Sequence, residues 1–119
     1  MEHGVKEEIF VTDEALIEEI NTAYRRLSAA TEDMVRADRE LAGHIRAVRL
    51  DNAEAILEAR NERTANLYLE GLLDTGEHRQ LEAGRARAEL ALQHARLEVE
   101  RLQLIVRLLG IQTGEAMHG

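Results

Sequence analysis

The chain has no cysteine, no proline and only three aromatic residues, Phe10, Tyr24 and Tyr68. Without cysteine there is no disulfide, no thiolate metal site and no Cys nucleophile. Without proline the ordinary punctuation of a turn-rich domain is missing, which favours few, long helices. With so few aromatic rings there are no stacking platforms for bases. No run of about 18 apolar residues occurs, so no membrane span is expected. The opening MEHGVKEEIFV has neither the basic start nor the apolar stretch of a secretory signal, which makes the cytoplasm the expected location. A Gly-rich phosphate loop, a zinc-ligand spacing and a Ser-His-Asp arrangement are also missing. The sequence therefore points away from catalysis, and no cofactor is expected.

What is present is charge and aliphatic periodicity. The 119 residues carry a net charge of −8, which argues against direct binding of nucleic acid or an anionic membrane. The charge is uneven. Residues 1–20 hold seven acids and one lysine, residues 21–50 are net +2, and residues 51–76 are net −4. The apolar content is nearly all Leu, Ala, Ile and Val.

A first helix start is written in FVTDEALIEEI. Thr12 or Asp13 can cap it, and acids in its first turn suit the helix dipole. If Thr12 caps, Val11 and Leu16 are spaced as a hydrophobic staple. Residues 1–11 then form an acidic arm. From Leu16 a heptad runs without interruption. One position reads Ile20, Leu27, Met34, Leu41 and Val48; the other reads Leu16, Ala23, Ala30, Ala37 and His44. This 3–4 spacing predicts a coiled-coil-like or bundle helix. The outer position, Arg25, Glu32, Arg39, Arg46, Ala53 and Arg60, reads as a solvated face.

The clearest breaker is LLDTGEH, residues 72–78, where Asp74, Thr75 and Gly76 are turn formers. Gly71 and Gly76 are each candidates for a helix C-terminus. A second long helix is expected from Glu77 to Leu109, ended by Gly110, with a tail over 111–119. Its main stripe is Leu81, Ala88, Leu92, Ala95, Val99, Leu102, Val106 and Leu109, interrupted by Arg85. Beside it lie Ala86, Leu90, Leu97, Leu104, Leu108 and Ile111. Two adjacent stripes imply more than one neighbour.

The expected fold is all-α: a single helical hairpin domain over 12–110, turning near 74–76. As one helix, residues 13–73 would extend about 90 Å against about 50 Å for the partner arm. The first arm must therefore overshoot or break. Ala42–Gly43 is one candidate break. Asp51, with Glu54 three residues on in the manner of a capping box, is the other. A break gives a three-helix bundle. The scarcity of turn chemistry favours one long arm, kinked near 43–52.

Within Val48–Tyr68 the first register puts acids on the seam: Asp51, Glu58 and Glu62. Three explanations compete. The register can slip by four residues near His44–Ile45, giving Ile45, Val48, Asn52, Ala55, Ala59, Glu62, Asn66 and Leu69 and turning most acids outward. The thin, Ala-rich segment can instead receive another protein. Or the helix can contribute to a carboxylate metal site built by an oligomer. Such sites use Glu-x-x-His motifs on facing helices, and the one instance here is Glu115–His118 in the tail. The internal histidines each have a carboxylate four residues away (Glu40–His44, Asp74–His78, His78–Glu82, His94–Glu98), which reads as surface pairing.

The function expected from these features is assembly or adaptor activity through helix–helix contacts, as a homo-oligomer, most simply a dimer. The oligomer seam is expected at Leu16, Ile20, Leu27, Met34, Leu41, Val48, Leu92, Val99, Leu102, Val106 and Leu109. A partner protein is expected on Asp51, Glu54, Glu58, Glu62, Asn66, Glu14 and Glu18. The alternative is a small acidic inhibitor or regulator of a nucleic-acid-handling protein, presenting carboxylates where phosphates would sit.

Overall fold

The computed structural model describes the backbone of residues 13–118 and the side chains of residues 13–110. The acidic arm expected over 1–11, the Thr12 cap and the Val11 staple lie outside the described residues. The fold is all-α, a helical hairpin, with no strand among the described residues. We number its helices α1 (Asp13–Asp51), α2 (Ala53–Leu57), α3 (Glu62–Leu73) and α4 (Gly76–His118). The residues fall into two compact units. Among the described residues the first combines 13–30 with 92–118, and the second is Thr31–Ala91.

The heptad read from the sequence is the inward face of α1. Leu16, Ile20, Ala23, Leu27, Ala30, Met34, Ala37, Leu41, His44 and Val48 are all buried or half-buried, while Arg25, Glu32, Arg39 and Arg46 are exposed. Alanines in one seam position let a facing helix approach closely. In the first unit this produces the core, where Ala23, Val99 and Leu102 pack together with Leu16, Ile20, Leu27 and Ile105 around them.

The first arm is not one helix through to residue 73. α1 passes straight through Ala42–Gly43 and stops at Asp51, inside the stretch expected to bend. Gly43 has no positive φ and no neighbouring atom within 4 Å of a would-be Cβ, so nothing at that glycine forces a bend. Asn52 is the residue that breaks the helix. Its side-chain amide donates to the Val48 carbonyl at 2.9 Å, and its own N–H bonds back to Arg49. This local bonding competes with the helical ladder. The capping box expected of Asp51 and Glu54 does not form: Asn52 occupies the cap position of α2 and makes no side-chain cap bond.

A second interruption spans 58–61, which the heptad reading missed. Asn61 is extended, at φ −157° and ψ 173°, and its side-chain oxygen accepts from the Thr64 N–H at 2.9 Å. The sequence signal was Asn61 with Glu62 directly after it, a cap followed by an acid in the first turn.

The turn near 74–76 is where the sequence put it, but its chemistry differs. Asp74 sits at φ −79° and ψ 68°, and the Thr75 N–H bonds the Leu73 carbonyl at 2.8 Å, an inverse γ-turn. Thr75 then caps α4, its hydroxyl accepting from the His78 N–H at 3.2 Å. Gly76 therefore begins a helix and Gly71 lies within one, so neither terminates a helix. Gly110 does not end α4 either, since the helix continues to His118. A glycine inside a helix costs only about 1 kcal/mol, too little to stop one already propagating.

Candidate interaction surface

The residues expected to form an oligomer seam are largely occupied within the chain. Leu16, Ile20, Leu27, Met34, Leu41 and Val48 are half-buried on the inward face of α1, and Leu92, Val99 and Leu102 are buried. Val106 and Leu109 are exposed. Ile105, which the stripe omitted, takes the inward position next to Leu102. Val106, 41% exposed, lies instead in the wall of a groove beside it.

The second stripe of α4 has no cover. Leu97, Leu104 and Leu108 are 61%, 51% and 54% exposed. They lie roughly 120–160° around the helix from Leu102, on its outer side. Leu90, at the same heptad position as Leu97 and Leu104, is also exposed in its own unit. The side chain of Ile111 lies outside the described residues.

The flanks of the first unit are chemically unequal. One is an apolar groove of about 260 Å³ between α1 and α4, lined by Ile20, Ala23, Tyr24, Val99, Leu102 and Val106. Tyr24 closes one edge by accepting a hydrogen bond from the Gln103 amide at 2.9 Å. The other flank is charged, with Glu18, Glu19, Arg26, Glu98 and Arg101 around it. There Arg101 grips Glu98 through two bonds, at 2.8 and 3.2 Å. That hydrogen bond holds the Glu98 carboxyl below its ordinary range and raises the Arg101 guanidinium above its own.

The residues expected to receive a partner, Asp51, Glu54, Glu58, Glu62, Asn66, Glu14 and Glu18, are all exposed. They do not share one helix face. Asp51 ends α1, Glu54 lies in α2, Glu58 caps the end of α2, and Glu62 opens α3. The acids leave the seam because the helix breaks twice. A four-residue slip along one continuous helix is not what turns them outward. Among the described residues no group of three or more His, Asp or Glu side chains is arranged to hold a metal ion. Arg85, the interruption in the α4 stripe, is half-buried and sends its guanidinium to Asp38 on α1 and to Glu89. The bond to Asp38 raises its pKa.

The histidines depart furthest from expectation. His44 and His78 were read as surface partners of acids on their own helix. Their side chains are only 14% and 13% exposed. Glu82 does reach His78, but the carboxylate nearest His44 is Glu77 on α4. The two rings come together, their centroids 5.5 Å apart.

Compared with protein-family models, curated proteins and solved structures, the chain matches none. No helix among the described residues is long and apolar enough to cross a membrane.

Proposed function

We propose that this protein is a non-catalytic assembly module that works by helix–helix contact, first with a second copy of itself. The observation that carries the reading is the outer stripe of α4, Leu97, Leu104 and Leu108, each more than half exposed. Leu97 and Leu104 are one heptad apart, the spacing at which a helix meets another helix along a seam. The thinness of the core supports the same reading. Among the described residues only Ala23, Ala30, Leu92, Val99 and Leu102 are buried, and none falls below 2% exposure. Small domains with so little core commonly gain stability from association.

The energetics set the strength. Six half-exposed leucines in a two-fold dimer return roughly 1 kcal/mol each on burial, about 6 kcal/mol in all. Association costs about 4–15 kcal/mol in lost freedom. The stripe alone therefore gives a weak dimer that responds to concentration, and a tight one needs the apolar groove as well. Once formed, the dimer would present the exposed acids of 51–62 to a further protein.

Light scattering coupled to size exclusion across a hundredfold range of concentration tests this. The wild type should shift from monomer to dimer, and Leu97→Asp with Leu104→Asp should hold it as a folded monomer. A wild type that stays monomeric at every concentration overturns the reading. A dimer that persists in the double variant moves the interface off the stripe.

A further inference from the structure

Inside the second unit, α1 and the first turn of α4 bring two imidazoles together. The His44 and His78 ring centroids are 5.5 Å apart and the planes are tilted by 31°. Both side chains are largely buried. Each ring has one nitrogen directed at a carboxylate: His44 Nδ1 lies 3.8 Å from Glu77, and His78 Nε2 lies 3.3 Å from Glu82. The other nitrogen of each ring, His44 Nε2 and His78 Nδ1, is buried and has no hydrogen-bond partner.

Buried polar atoms without partners are uncommon because they give up water for nothing. Two of them on neighbouring rings call for a common explanation. The carboxylates supply part of it. A glutamate beside one imidazole nitrogen favours the proton there, which leaves a lone pair on the other. In this arrangement the nitrogens away from the carboxylates are the two buried ones without partners. Metal-binding histidines commonly have a carboxylate near the outer nitrogen while the inner one is left to the ion, and here each carboxylate stands at ion-pair distance.

We propose that His44 and His78 are the two protein ligands of a divalent transition-metal ion that ties α1 to the start of α4. The separation fits. With metal–nitrogen bonds of about 2.0–2.1 Å, two imidazoles on one tetrahedral ion place their ring centroids roughly 5–5.5 Å apart. The chemical class follows from the donors. Neutral imidazoles suit zinc, nickel or copper, whereas magnesium and calcium take oxygen. With only two protein ligands the ion keeps open positions for water or a solute. The scaffold is firm on both sides: His44 sits within α1, and the backbone N–H of His78 is fixed by the Thr75 cap. This site shares no residue with the leucine stripe, so either proposal stands if the other fails.

The test uses the full-length chain, stripped with a chelator and then titrated with zinc, nickel or magnesium. Zinc at a hundredfold excess over its dissociation constant should raise the melting temperature by about 10 °C, and magnesium should not. In imidazole nitrogen spectra of the wild type, the resonances of His44 and His78 should shift with zinc. Those of His3, His94 and His118 should stay. His44→Gln and His78→Gln should each abolish the thermal shift, and His94→Gln should keep it. Zinc that moves other histidines instead, or leaves the His44 and His78 resonances unmoved, overturns the assignment. A thermal shift that survives in His78→Gln does the same. The spectra decide the matter on the wild type alone, even if a variant folds poorly.

Discussion

Among the described residues five are buried, and all lie in the first unit; the second has none. Yet α1 carries the same heptad through both. The difference lies in what faces it. In the first unit Ala23 packs with Val99 and Leu102, so a small side chain meets large ones and water is excluded. In the second, the inward positions of α4 are His78, Leu81, Gly84, Arg85 and Ala88, and those of α1 include Ala37 and His44. Polar side chains meet there, His44 against His78 and Arg85 against Asp38, and the apolar ones, Met34, Leu41, Val48 and Leu81 among them, stay half-buried. A heptad thus fixes which side of a helix faces inward. The depth of burial depends on what faces it across the gap.

The sharpest test of that contrast is truncation in each unit. Leu102, 2% exposed, should cost about 2–4 kcal/mol as alanine, because it leaves a cavity at the centre of the core. Leu81→Ala, at a half-buried position, should cost about 1 kcal/mol. Equal losses in urea denaturation would erase the distinction between the units.

Next in size is the cap in the second unit. Asn61→Ala removes the bond from Thr64 and should destabilise by about 1 kcal/mol. If the change leaves the urea midpoint alone, α3 adds nothing to the cooperative fold. Gly43→Ala should act in the opposite direction. Nothing lies within 4 Å of the new methyl group, so the helix interior should gain about 0.5–1 kcal/mol, read as a raised melting temperature.

The smallest effects are electrostatic. Asp38→Asn in the second unit removes one of the two carboxylates that hold Arg85, and its slight cost should vanish in molar salt. In the first unit, Arg101 lowers the Glu98 pKa, so the pair stabilises the fold above the ordinary carboxylate range. That contribution is lost as pH falls through the lowered value. The gap between wild type and Glu98→Gln in melting temperature should therefore close on acidification, and a constant gap would mean that the pair is not the cause.

Periodicity made the hairpin and the α1 seam legible, because a helical stripe needs only the order of apolar residues. The two breaks were not legible in that way. Asn52 and Asn61 act by single hydrogen bonds to Val48 and Thr64, which leave no repeat in the sequence. Ile105 was missed because the heptad count admits one of two adjacent aliphatic residues, and it is Ile105, not Val106, that packs against the core. Arg85 looked like a flaw in its stripe, and only the position of Asp38 on the facing helix accounts for it. The histidines were paired with acids on their own helices. Their closest ring neighbour lies 34 positions away, at a separation that the turn chemistry of 52–76 sets.

The turn at Asp74 has one more consequence. Its φ of −79° is already close to the helical value, and only ψ, at 68°, departs from it. A rotation of roughly 110° about one bond would bring this residue into the helical basin. The connection holds no left-handed residue and no proline to forbid that rotation. What opposes it is a few local hydrogen bonds and the contacts between the arms. Such a hinge is suited to exchange, because two chains that straighten there can each lend an arm to the other and give up only the bonds of the turn.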